Sequence, residues 1–151
     1  MTYTRKATPT EWNVETGKNV LWRTPIAGLA HSAPIIWGDR VYMTTAVGPG
    51  EAELKIGRYG AIAAAEDQGH HEWRLLAMDR QSGEILFDKL AYEGIPRSLR
   101  HTKGTHCNST PATNGDYLVA YLGSEGLFCF DMEGDFFGKR TSVTWMQVTS
   151  K

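Results

Sequence analysis

Apolar residues along the 151-residue chain fall in short runs rather than in long helical stripes. The runs are RVYMTTAV (Arg40 to Val47), WRLLAMDR (Trp73 to Arg80), EILFDKLAY (Glu84 to Tyr92), YLVAYLGS (Tyr117 to Ser124) and LFCFDM (Leu127 to Met132). Their length and their β-branched and aromatic content favour strands, because a helix needs a longer stretch with apolar residues at i, i+3, i+4 and i+7. Turn signals separate them: Glu15 to Gly17, Trp37 to Asp39, Gln81 to Gly83, Asn114 to Asp116 and Met132 to Gly134. Glycine with Asn, Asp or Ser reverses the chain within a few residues, so neighbouring strands are expected to pair as antiparallel hairpins. The pattern predicts an all-β fold.

Two elements recur. SAPIIWGDRVY and STPATNGDYLV align Ser32 with Ser109, Pro34 with Pro111, Gly38 with Gly115 and Asp39 with Asp116, all at one offset of 77 residues. A fixed offset across four turn-forming residues indicates an internal repeat. The second element is AMDRQSGEILF, with Ala77, Asp79, Ser82, Gly83 and Phe87. WNVETGKNVLW sets Thr16, Gly17 and Trp22 in a related order, and FDMEGDFFG is a weaker third copy. A polar side chain bonded into the turn would fix each hairpin and let the aromatic pack against a neighbouring unit. The order of elements predicts a leading strand of a preceding unit over residues 1–30. A four-stranded unit follows over 31–92, with a loop insertion at 48–72, then a linker at 93–106, a second unit over 107–140 and an irregular tail at 141–151. Four antiparallel strands per repeat with interface aromatics is the form a propeller blade takes in sequence.

At Ala77-x-Asp79-x-x-Ser82-Gly83-x-x-x-Phe87 the chain resembles the tryptophan-docking motif of the PQQ-like (pyrroloquinoline-quinone-type) β-propeller repeats. HSAPIIWGDRVYMTTAV and HCNSTPATNGDYLVAYLGSEGLFCFDMEGD resemble the strands between such motifs in outer-membrane-assembly-type and secreted propeller proteins. The resemblance implies about two four-stranded antiparallel blades of a partial PQQ-like propeller, in a periplasmic or extracellular setting. It departs from the family where Phe87 replaces the docking tryptophan and where Gly138 stands at that position in the third copy, so weaker or absent docking is expected there.

Composition narrows the function. Sixteen basic and seventeen acidic residues leave a net charge of −1, with no basic stripe of the kind that neutralises phosphates, which argues against a nucleic-acid partner. No window is apolar enough to span a bilayer, and MTYTRKATPTEW carries no export-signal core.

Candidate chemistry is sparse. Enzymes of the resembled class use a quinone and Ca²⁺, which the resemblance ties to acidic ligands, a stacking tryptophan and, commonly, adjacent cysteines. Cys107 and Cys129 are not adjacent, and Asp79 and Asp131 stand at turn positions, so no cofactor is expected from the residues themselves. His70 and His71 would point to opposite faces of a strand, and His101, His106 and Cys107 form a loose cluster, so the histidines read as surface or loop residues. The two cysteines, placed on the first and third strands of one unit, read as free thiols. Trp12, Trp22, Trp37, Trp73 and Trp145 read as packing aromatics, and the sequon Asn108-Ser109-Thr110 as accidental. The insertion reads as a plain surface loop. The linker, basic through Arg97, Arg100 and Lys103, faces either solvent or an acidic partner. The expected role is a noncatalytic protein-binding or scaffold module, open to self-association through unpaired blade edges. The alternative is part of a PQQ- and Ca²⁺-dependent quinoprotein dehydrogenase.

Overall fold

The computed structural model describes residues 9–50 and 64–140. Within them the chain forms two four-stranded antiparallel sheets. The first holds β1 (Ile35–Trp37), β2 (Arg40–Val47), β3 (His71–Asp79) and β4 (Ile85–Gly94), and the second holds β5 (Ala112–Thr113), β6 (Tyr117–Tyr121), β7 (Leu127–Asp131) and β8 (Phe136–Arg140). Each is a simple meander in chain order. No helix among the described residues is long and apolar enough to cross a membrane. Part of the expected insertion (51–63) and the tail with Trp145 lie outside the described residues.

The offset read from the sequence has a structural counterpart. In β1 and β2, Ile35 faces Tyr42 and Ile36 faces Val41; in β5 and β6, Ala112 faces Val119 and Thr113 faces Leu118. These are the same pairs one 77-residue step apart, and across that step Ala33 N donates to Thr110 Oγ1 at 3.0 Å. Ser32 and Ser109 precede the two hairpins, but only Ser32 is buried, with its hydroxyl donating to Thr44 O at 2.8 Å.

The sheets share one core. Tyr42, Ala46, Trp73, Leu75 and Ala77 of the first sheet cluster with Leu118, Ala120, Phe128 and Phe130 of the second and with Leu122 just past β6. Alternation along each strand sorts these side chains by face. Counted back from Asp79 and Asp131, the second-sheet counterparts of Leu75 and Ala77 are Leu127 and Cys129, and those of Leu76 and Met78 are Phe128 and Phe130. The Tyr42, Leu75 and Ala77 face of one sheet therefore packs on the opposite face of the next. Val41, Leu76 and Met78, on the far side of the first sheet, are also buried. Thr45 on that side donates to Ala27 O at 2.9 Å.

The repeated turns carry the expected hydrogen bonds. Asp79 Oδ1 accepts from Gln81 N, Ser82 N and Ser82 Oγ at 2.9, 2.7 and 3.0 Å. Asp131 Oδ1 accepts from Glu133 N and Asp135 N at 2.9 and 2.8 Å. Aromatics then dock on the turn glycines. A Cβ on Gly83 would stand 2.4 Å from Trp22 Cδ2, and one on Gly134 would stand 2.7 Å from Phe87 Cε2. Only glycine fits beneath such a ring at φ +73° or +79°. Trp37 stands equally close to Gly115. At Phe87, where a weaker or absent contact is expected, a phenyl ring covers Gly134, the counterpart of Gly83. What Phe87 lacks is the indole donor: Trp22 Nε1 donates to Arg80 O at 2.9 Å. The equivalent carbonyl, Met132 O, receives Arg40 Nη1 at 2.8 Å and Tyr42 Oη at 3.3 Å instead.

Two expectations need correction. Residues 9–30 form no continuous strand, only isolated bridges from Asn13 to Lys18 and from Leu29 to Ala46. Cys107 precedes β5 rather than lying on a strand, while Cys129 is on β7; both thiols are free.

Candidate functional site

Buried polar side chains concentrate where the segment entering β3 meets the connection between the sheets. Ala64 bridges to His101, and Ala65 N donates to Arg100 O at 3.0 Å. This pairing lays Asp67 on Arg100, whose Nε donates to Asp67 Oδ2 and whose Nη1 donates to Gly104 O at 2.9 Å. Arg100 is 7% exposed, a burial that arginine tolerates only when paired.

His71 opens β3. Strand alternation turns His70 outward and His71 inward, the latter 3% exposed. His71 Nδ1 sits 2.8 Å from Gly69 O. A carbonyl only accepts, so Nδ1 donates this bond and Nε2 is the nitrogen left for other partners. Gly48, just past the end of β2, leaves room at that nitrogen: a Cβ there would stand 2.7 Å from His71 Nε2.

His106 comes from the connection itself. Its carbonyl accepts Trp73 Nε1 at 3.0 Å, and its ring stands edge-on to His71 with centroids 4.7 Å apart. His106 Nε2 lies 3.5 Å from Asp67 Oδ1. Both atoms are buried and neither has a hydrogen-bond partner. One potential ligand atom from each of Asp67, His71 and His106 lies within 4.8 Å of the other two. A cavity of about 650 Å³ opens on the group, bounded across from it by Gly28, Leu29, Ala46 and Pro49.

Burial raises the pKa of the Asp67 carboxyl, but the hydrogen bond and charge of Arg100, with His106 nearby, outweigh it and hold the group below the ordinary aspartate value. Burial pushes the His106 imidazole down; Asp67 opposes this and His71 reinforces it. At neutral pH the site therefore holds a carboxylate beside a neutral imidazole.

The reading of His71 as a surface or loop histidine is corrected by its burial at the start of β3; His106 lies on a loop as expected, with its side chain 7% exposed. Residues 64–67 of the insertion pair with Arg100 and His101 of the linker, which neither segment reveals alone. His101 and Cys107, grouped with His106 in sequence, stay out of the site. Exposed His101 accepts Lys103 N at 3.1 Å through Nδ1, and Cys107 Sγ donates to Thr44 Oγ1 at 3.2 Å. Nor is the linker simply solvated. Fully buried Glu125 accepts Arg97 N and Ser124 Oγ, each at 2.9 Å, and its Oε2 lies 3.5 Å from Arg97 Nε. The sequon residue Asn108 is engaged locally, its Oδ1 accepting Thr105 Oγ1 at 2.7 Å and its Nδ2 donating to Thr105 O at 2.9 Å.

No family model, no curated protein and no solved structure matches the chain.

Proposed function

We propose that the chain is a two-blade segment of a PQQ-like β-propeller, acting as a noncatalytic scaffold or protein-binding module that assembles with further sheets of the same kind. The observation that carries this reading is the packing of one face of the first sheet on the opposite face of the second. The outer face of the second sheet bears Tyr117, Val119, Leu127 and Cys129. Val119, Leu127 and Cys129 are the repeat counterparts of Tyr42, Leu75 and Ala77, which cover Leu118, Phe128 and Phe130 in the core. Tyr117 and Leu127 on that face are exposed, as is the neighbouring Phe137. A face that repeats a covering surface, with apolar side chains in solvent, fits another sheet presenting the Leu118, Phe128 and Phe130 type of surface. The quinone-dependent alternative draws on free carboxylates, and the turn bonds of Asp79 and Asp131 favour a structural role for both.

The test is the solution mass of the purified chain by size exclusion with light scattering, alone and as Leu127→Glu. A discrete assembly that falls to monomer in Leu127→Glu supports the reading. A wild-type chain that stays monomeric at about 100 µM would overturn self-association through this face.

A further inference from the structure

We infer that Asp67, His71 and His106 form a binding site for a divalent first-row transition ion of the zinc class. The inference goes beyond the scaffold reading and does not depend on it.

Four features support it. The first is the donor set: two imidazoles and one carboxylate suit zinc and its neighbours, whereas calcium and magnesium require oxygen ligands. The second is orphaned valence. Asp67 Oδ1 and His106 Nε2 are buried without hydrogen-bond partners, a cost of about 1–3 kcal/mol for each group that a ligand would relieve. Their separation is already 3.5 Å, against about 3.4 Å for two ligands about 2.1 Å from a tetrahedral ion.

The third is outer support. The second oxygen of Asp67 is held by Arg100, and the second nitrogen of His71 by Gly69 O. Metal-binding histidines and carboxylates are ordinarily oriented in this way, with one atom bonded behind and the other left for the ion. Arg100, which also lines the cavity, is bonded to Asp67 and to the Gly104 carbonyl. The fourth is space. Gly48 leaves His71 Nε2 approachable, and the cavity beyond provides the way in and a further coordination position. Bound there, the ion would tie the segment entering β3 to the connection between the sheets.

The experiment uses the tag-free full chain, stripped by chelator and titrated with zinc chloride, with stoichiometry from equilibrium dialysis and elemental analysis. About one zinc per chain is expected. Asp67→Asn and His106→Gln should each weaken binding at least about tenfold, while His70→Gln and His101→Gln leave it unchanged. Far-UV circular dichroism checks that each variant folds. Should the ligand variants unfold, Gly48→Ala crowds His71 Nε2 without altering a ligand, and weaker binding is again expected. Failure of the folded wild-type chain to retain zinc or cobalt, or equal retention by folded Asp67→Asn and His106→Gln, would overturn the inference. So would undiminished binding by folded Gly48→Ala.

Discussion

The ring of Phe87 lies against Gly134 in the position that Trp22 holds over Gly83 one copy earlier. Both glycines have positive φ, so a methyl group meets two obstacles at once, a strained backbone and an aromatic face. Gly83→Ala should lower unfolding stability by about 2–3 kcal/mol. At Gly38, φ is also positive but nothing stands within 4 Å of a Cβ, so Gly38→Ala meets backbone strain alone and should cost about 1 kcal/mol. Urea unfolding of the two variants decides the matter. Equal losses would show that the ring contact adds nothing.

Trp22→Phe should cost about 1 kcal/mol, because Arg80 O loses its indole donor while the ring contact remains. The equivalent carbonyl in the next copy already relies on Arg40 and Tyr42, so Arg40→Met should cost a similar amount at Met132. If thermal melts show no loss in either variant, these carbonyls are satisfied by solvent.

The turn carboxylate of Asp79 predicts an acid limb to stability. Hydrogen bonds from the Ser82 amide and hydroxyl and from the Gln81 amide hold its pKa below the ordinary aspartate value. A carboxyl depressed in the folded state stabilises above its unfolded pKa of about 3.9 and loses that stabilisation as pH falls through the folded value. Chemical denaturation midpoints between pH 5 and 2 should fall less steeply in Asp79→Asn than in the parent. Parallel curves would assign the acid sensitivity elsewhere.

Glu125 anchors the connection between the sheets through Arg97 N. Glu125→Ala should free residues 95–99, leave Arg97 open to trypsin, and speed cleavage there at least tenfold at constant sheet content, since nicking follows local opening. Unchanged digestion would mean that the connection is held by other contacts.

Cys107 is buried, and burial pushes its thiol pKa up while Thr44 and Ser32 partly oppose the shift. Native alkylation at pH 8 should modify Cys129 and spare Cys107, with both reacting after denaturation; peptide mass spectrometry reads the difference. Early labelling at Cys107 would contradict the packing around Thr44.

The sheets were legible because their signals are local: short runs rich in β-branched and aromatic residues, glycine turns and one repeat step of 77 residues. The hairpin from Ile35 to Val47 follows from Gly38 and Asp39 flanked by apolar runs, and the Asp79 turn from side chains within three residues of it. The candidate site was not legible. Asp67 and His71 stand next to a segment rich in Gly and Ala, and His106 lies 35 positions beyond His71 in what reads as a linker. The pairing of Ala64 and Ala65 with His101 and Arg100 brings them together, and such long-range pairing has no sequence period. A weak signal existed in Asp67-x3-His71, two ligand-type residues at the mouth of a strand, but spacing alone gave no reason to join it to His106.

The contact of aromatic on glycine always runs one way, with the ring from the earlier copy and the glycine from the later one. An interface of this kind is heterologous: its two sides differ, so no two-fold dimer can form through it. The chain therefore has a head and a tail. At its head, Gly17 repeats the position of Gly83 with open space where a ring would sit. Under the proposed assembly, growth through these surfaces would be polar, adding units in one sense only, and would end when the array curved back onto its own first member or met a cap.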